Sequence, residues 1–199
     1  MFAVGHLSLG YLVSKAVQKA TKTDVNLPVV FFLSLIPDID LLFRRLTPHR
    51  GPTHSLVVQT LVFVPVFLYY RRRSLPYFAA LASHALIGDL LTADGAQILW
   101  PLTRSWYGFG IGILSVESIS IELLVFVLAM AALVMTKDIR RLWSGQRSNL
   151  ILTIPSGVIL LSGLAGYGEA YSEAMFLPHM IFLAIFSISI LRGLSTEKK

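Results

Sequence analysis

"LVVQTLVFVPVFLYYRRR" occupies residues 56–73. No charge interrupts it until three consecutive arginines close it. An apolar run that ends on a basic run is the pattern of a segment that enters hydrocarbon and stops at the cytoplasmic face. The rest of the chain agrees. Of 199 residues, 55% are hydrophobic and only 14% charged, and the mean hydropathy is +0.70. A soluble domain carries about 25% charged residues. The sequence contains no cysteine, which excludes disulfides, thiolate metal sites and cysteine nucleophiles.

Six further apolar segments read as helices, giving candidates at 2–20, 27–43, 54–70, 75–93, 118–136, 149–166 and 174–192. The basic residues give them an orientation. Thirteen of the 17 lysines and arginines, including Lys15, Lys19, Lys22, Arg71 to Arg73, Lys137, Arg140, Arg141, Arg147, Arg192, Lys198 and Lys199, fall on alternate connections. Arg44, Arg45, Arg50 and Arg104 fall on the other side. The positive-inside rule then makes the thirteen-residue side cytoplasmic. The expected fold is an all-α polytopic transmembrane bundle of six or seven helices in the cytoplasmic (inner) membrane, with an outside N-terminus and a cytoplasmic C-terminus. The six-span alternative lays the first helix in the interface. A single membrane-embedded domain, 1–199, holds motif-bearing helices in 1–101 and an outer loop with supporting helices in 102–199. The longest connection, 94–117, carries Trp100, Trp106 and Tyr107, which suit an interfacial aromatic belt. The short basic runs serve topology, so nucleic acid is not an expected partner despite a net charge of +6.

Against this background the ionisable residues stand out. His6, Asp38, Asp40, His49, His54, His84 and Asp89 all map to the outer side, with Asp94, Glu117 and Glu122 near them. Charged groups inside a bilayer cost several kcal/mol unless paired, hydrated or coordinated. One shared polar cavity accounts for them together. Imidazole and carboxylate without thiolate suit zinc first, then manganese or iron, and the carboxylates also accept magnesium. Such centres bind phosphoesters and activate water.

Taken singly, each group has a plainer explanation. "PDID" (37–40) could serve a kinked backbone, Thr53 or Ser55 could cap the helix after "HRGPTHS" (49–55), and Arg50 could meet lipid headgroups. His6 alone reads as a packed histidine, as does His179, which is not counted. His84 and Asp89, five apart, diverge by about 140° on a regular helix, so they meet at one ion only if the helix is distorted near Gly88. A serine hydrolase built on Ser55 or Ser83 lacks the G-x-S-x-G elbow. Chance placement of all these groups on one membrane side is the weak point of the plainer readings.

"GH" (5–6), "LIPDID" (35–40), "HRGPTHS" (49–55) and "SHALIGDLLTADGAQILWP" (83–101) together resemble the YdjM-like family of membrane-bound, predicted metal-dependent hydrolases. The resemblance covers about the first 101 residues and implies that His6, Asp38, Asp40, His49, His54, His84 and Asp89 are the conspicuous polar positions. The family is distantly similar to helical zinc-dependent phospholipase C enzymes, which implies a phosphoester substrate. Several relatives place three residues between the motif histidine and aspartate, where this chain has four, and many have proline where Ala93 stands.

The expected activity is metal-dependent hydrolysis of a phosphoester, such as a phospholipid headgroup, at the extracytoplasmic side. The metal ligands are drawn from Asp38, His54, His84 and Asp89, with His6, Asp40 and His49 as further ligands or supporting groups. His49 or Asp40 is the expected base or proton shuttle, and Arg50 neutralises phosphate charge. The expected partners are membrane lipid and a lipid or phosphoester substrate. The alternative is a non-enzymatic membrane protein: a metal-holding structural or lipid-binding factor, or a transporter.

Overall fold

A computed structural model describes residues 1–43, 48–92, 95–164 and 172–195. The described residues are helical or irregular, with one isolated antiparallel bridge, Ala96–Tyr107. The basic residues Arg44, Arg45, Lys198 and Lys199 lie outside them.

Helix α1 (Ala3–Thr21) is the least apolar of the candidate spans, yet its N-terminal half is fully enclosed. Every residue from Ala3 to Tyr11 is buried. It packs against α2 (Leu27–Leu35), α4 (Leu75–Ser83) and α6 (Val116–Met135). Gly10 permits the approach to α2, because a Cβ there would collide with the Ser34 side chain. Phe31, Phe182 and Phe186 fill the interior beside Tyr11, with ring centroids 5.2–5.8 Å apart. Lipid tails are as apolar as these side chains, so close packing rather than escape from water holds such helices together.

Several elements differ from regular helices, and proline or polar chemistry accounts for the difference. Asn26 caps α2, accepting from the Val29 N–H at 3.4 Å, and Pro28 sits where a missing N–H does no harm. Pro37 cannot donate to the preceding turn, and the predicted 27–43 helix tightens after Leu35 into a 3-10 helix, Ile36–Phe43. Helix α3 (Leu56–Tyr70) starts after its expected position because Ser55 caps it, its Oγ accepting from the Val58 N–H at 3.3 Å. His54 is thereby left in a 3-10 turn, Pro52–His54. The predicted 75–93 helix is α4, then a π-helix (His84–Asp89), then α5 (Leu90–Thr92). Short α7 (Asp138–Leu142) follows α6. The predicted 149–166 helix divides into a 3-10 helix (Arg147–Leu152), α8 (Thr153–Val158) and a π-helix (Ile159–Leu164), and the last helix is α9 (Phe176–Ser195).

Two described helices are long and apolar enough to cross a membrane unaided: Val116–Met135, and the combined 3-10 and α segment Glu173–Ser195. The expectation of six or seven such helices is therefore not met by length. Helix α1 is long enough at 19 residues but too polar, and the 3-10 turn after Pro37 and the π-turn at His84–Asp89 divide the 27–43 and 75–93 segments. The surface is nevertheless inverted relative to a soluble domain. Val62, Tyr69, Leu124, Val127 and Met135 are exposed, while His6, Asp38, Asp40, His54, His84 and Asp89 are buried.

At the opposite end from the histidines, Lys15 Nζ lies 2.9 Å from Asp138 Oδ2, and the Tyr11 hydroxyl donates to the same oxygen at 2.9 Å. Burial alone would raise the Asp138 carboxyl, but Lys15, Thr136 and Tyr11 together hold it below the ordinary carboxylate range. A lowered carboxyl stabilises the fold above the ordinary range, and this contribution is lost as pH falls through the lowered value. Asp138→Asn should therefore cost roughly 1–3 kcal/mol at neutral pH. It should also flatten the acid arm of thermal melts recorded in detergent. An acid arm identical to that of the wild type would show that another group controls it.

Candidate metal centre

The 3-10 geometry after Pro37 explains how two aspartates two residues apart serve different partners. At three residues per turn they point about 120° apart. Asp38 turns inward: its Oδ1 lies 3.3 Å from His54 Nε2 and 3.2 Å from His84 Nε2. Asp40 turns toward the 49–54 segment. Its Oδ1 is 2.8 Å from His49 Nδ1, and its Oδ2 accepts from the Arg50 N–H at 3.0 Å and the Thr53 hydroxyl at 2.9 Å. Arg50 takes a left-handed backbone, φ 62°, uncommon outside glycine, which aims that N–H at Asp40.

The π-helix solves the spacing problem of His84 and Asp89. Its widened turns bond i to i+5, so a residue five positions on returns over the first. Asp89 Oδ2 thus stands 3.8 Å from His84 Nε2 and 3.5 Å from His54 Nε2. Relative to the three-residue spacing that the resemblance implies, the π-turn takes up the one extra residue and leaves both side chains on one face. Gly88 admits His6 beside them: a Cβ there would lie 2.5 Å from His6 Cε1. The His6 ring stacks on His84 at 3.6 Å between centroids, and its Nε2 lies 3.7 Å from Asp89 Oδ1. Arg50 Nε reaches the same oxygen at 3.3 Å.

Tautomers follow from the partners. His84 Nδ1 faces the Ser34 carbonyl at 2.7 Å, and a carbonyl can only accept, so Nδ1 carries the hydrogen. The Thr53 hydroxyl gives its proton to Asp40, so at 3.0 Å it accepts from His54 Nδ1. In the neutral rings both Nε2 atoms then present lone pairs, 3.2 Å apart. Asp38 Oδ1 and Asp89 Oδ2 complete a set of four acceptors. The separations of the two nitrogens from each other and from each carboxylate oxygen, 3.2–3.8 Å, bracket the edge of a tetrahedron around zinc, ~3.4 Å for bonds of ~2.1 Å. Asp89 Oδ2 has no hydrogen-bond partner among the described residues. Three carboxylates against one guanidinium leave two negative charges when the imidazoles are neutral, the complement of a divalent cation. The donor set therefore fits a metal ion.

All seven residues expected from the sequence meet at this one place, within three overlapping groups able to hold a metal: His6–His84–Asp89, Asp38–His54–His84 and Asp40–His49–His54. His54 faces the centre and His49 lies toward the rim, its side chain 17% exposed. The orienting groups behind the rings are less legible from sequence. Thr53 reads there as a possible helix cap, and the Ser34 carbonyl is backbone with no signature of its own. The acidic residues that the sequence places near these seven part company. Glu122 accepts from the Phe2 N–H at 2.9 and 3.1 Å, Glu117 is exposed, and Asp94 lies outside the described residues. His179 donates from Nδ1 to the Met175 carbonyl at 2.6 Å, away from the centre. Ser83 Oγ donates to the Ala80 carbonyl at 2.8 Å and Ser55 Oγ to the Trp100 carbonyl, so neither is arranged as a nucleophile beside a histidine.

A helical protein with lipid-type outer faces and a buried His/Asp centre is the class these features define. The chain matches the model of the family described as YdjM inner membrane protein over residues 1–190, and it belongs to that family. The match runs well beyond the 101 residues whose motifs carry the resemblance. No curated protein and no solved structure matches the chain.

Gly88→Ala should displace His6 and loosen the π-turn. The expected result is a fall in metal affinity of about 10–100-fold, the usual cost of disturbing groups around a metal, with helical content unchanged by circular dichroism. Unaltered affinity in a competition titration against a chelator would remove His6 and the π-turn from the site.

Proposed function

We propose that this protein is a multi-pass membrane phosphoester hydrolase, with its N-terminus outside, its C-terminus in the cytoplasm and a zinc-type centre near the outer surface. The observation that carries this reading is the pair of inward imidazole nitrogens, His54 Nε2 and His84 Nε2, 3.2 Å apart, each within 3.2–3.8 Å of both Asp38 Oδ1 and Asp89 Oδ2. A divalent ion held by these atoms would supply Lewis acidity toward a phosphoryl oxygen and lower the pKa of water.

The chain's own groups supply the rest. Asp40 holds His49 by its Nδ1 at 2.8 Å, which fixes the ring at the rim where it can take a proton from water. The water oxygen bonds to phosphorus as the ester P–O bond breaks, and the proton taken by His49 passes to the leaving oxygen. Arg50, tethered to Asp89 at 3.3 Å, opposes the charge that grows on the phosphoryl oxygens. His54 and His84 are held too deeply, and too firmly by Thr53 and the Ser34 carbonyl, to carry protons to solvent.

The direct test is metal analysis of detergent-purified wild type, His54→Ala and His84→Ala, with phospholipids and soluble phosphoesters assayed on the same samples. One ion per wild-type chain, loss in both variants, and metal-dependent turnover are expected. Undiminished metal in both variants would refute the ligand assignment. Stoichiometric metal without turnover across the panel would instead support a metal-holding structural or lipid-binding protein.

A second measurement separates proton transfer from metal holding. His49→Ala should lower kcat by about 10²–10⁴-fold, the usual contribution of a general acid–base group, while metal remains bound. Loss of the metal in that variant would make His49 a ligand instead.

A further inference from the structure

Helices α2, α3 and α4 enclose a lateral groove of about 760 Å³, open along one side. Leu33, Val58, Val62 and Val66 line its walls. Its length along α3, from Val58 to Tyr70, is about 18 Å at 1.5 Å per residue. That is slightly more than half of a hydrocarbon core ~30 Å thick, the depth of one leaflet.

The ends of the groove differ. One end is lined by Pro37, Ile39 and Thr53, and Thr53 also donates to Asp40 at 2.9 Å, so this end adjoins the metal centre. Arg73 and Tyr70 lie at the other. Near the first end, one polar side chain enters the apolar wall. Gln59, 5% exposed, donates from Nε2 to the Thr53 carbonyl at 3.1 Å. Its Oε1 is buried with no hydrogen-bond partner among the described residues. A buried acceptor left unsatisfied costs about 1–3 kcal/mol, so this oxygen is suited to a donor brought by a ligand.

We propose that this groove receives the hydrocarbon chain of a lipid phosphoester whose phosphate reaches the metal centre, and that Gln59 accepts a hydrogen bond from a hydroxyl at the junction of chain and phosphate. The proposal rests on the hydrolase reading for the substrate's headgroup. The groove adds what that reading lacks: a substrate defined by one chain lying beside the site and a hydroxyl next to its phosphate. The exposed outer face of α6, at Leu124, Val127 and Leu128, meets bulk lipid without a neighbouring polar centre and serves as the internal control.

The test uses the full chain in phosphatidylcholine vesicles and a 1-acylglycerol phosphate with a diazirine in its acyl chain. Cross-linked peptides are mapped by mass spectrometry. Label should concentrate on 33–39 and 58–66. Excess unlabelled 1-acylglycerol phosphate should compete it away, and glycerol phosphate should not. Val62→Trp fills the groove and should lower that label by about fivefold or more, with bound metal reporting an intact fold; Val66→Trp is the second such variant. Val127→Trp should change nothing. Gln59→Leu should weaken labelling by this probe more than labelling by its analogue lacking the free hydroxyl.

Equal labelling of the α6 face, or labelling untouched by both groove-filling variants, overturns the proposal. Concentrated, competed labelling without turnover upholds the groove while refuting hydrolysis. Equal turnover of glycerol phosphate and the long-chain ester, insensitive to both tryptophans, upholds hydrolysis and overturns the groove.

Discussion

Four lone-pair-bearing atoms facing one another inside an apolar bundle form an arrangement that repels itself. With both Nδ1 hydrogens committed, to the Ser34 carbonyl and toward Thr53, neutral rings leave the inward nitrogens no hydrogen to donate to each other or to the two carboxylates. A proton on one imidazole or a cation among the four atoms relieves the repulsion. The local structure around the centre holds these atoms where either could sit. The Arg50 guanidinium offsets part of the carboxylate charge from the rim, and the remainder matches a divalent ion.

The backbone accommodates this demand by giving up regular helix where the site needs it. The 3-10 turn after Pro37 sends Asp38 and Asp40 in different directions, so one faces the inward nitrogens of His54 and His84 and the other holds His49 and Thr53. The π-turn returns Asp89 to the side of His84. Such departures need support from neighbours in a low-dielectric setting. The supporting element is α1, whose small and polar residues, Gly5, Ser8 and Gly10 among them, allow the other helices to approach closely. Its low hydropathy and its central position have the same cause.

The sequence discloses which residues form the site more readily than how the chain reaches it. Asp38, His54, His84 and Asp89 are legible because ionisable residues are rare in apolar segments and because the positive-inside expectation groups all four together. The helix pattern around them is not legible in the same way. Hydropathy sees 27–43 and 75–93 as continuous runs, since a 3-10 or π-turn changes hydrogen bonding without changing composition. Gly88 hints at a distortion, but only the contact with His6 shows what the missing side chain is for. The Ser34 carbonyl belongs to the backbone and leaves no residue-type trace at all.

The π-turn also affects how this chain is compared with others. A π-turn is an α-helix that has absorbed one residue, so two proteins can differ in length between histidine and aspartate while keeping the same pair in contact. Counted by residue, Asp89 is displaced by one from the shorter pattern. Counted by turn of helix, it is in register. An alignment that opens a gap between Ala85 and Gly88 would preserve the chemistry. An ungapped one would assign the carboxylate's role to Gly88, the position that must have no side chain.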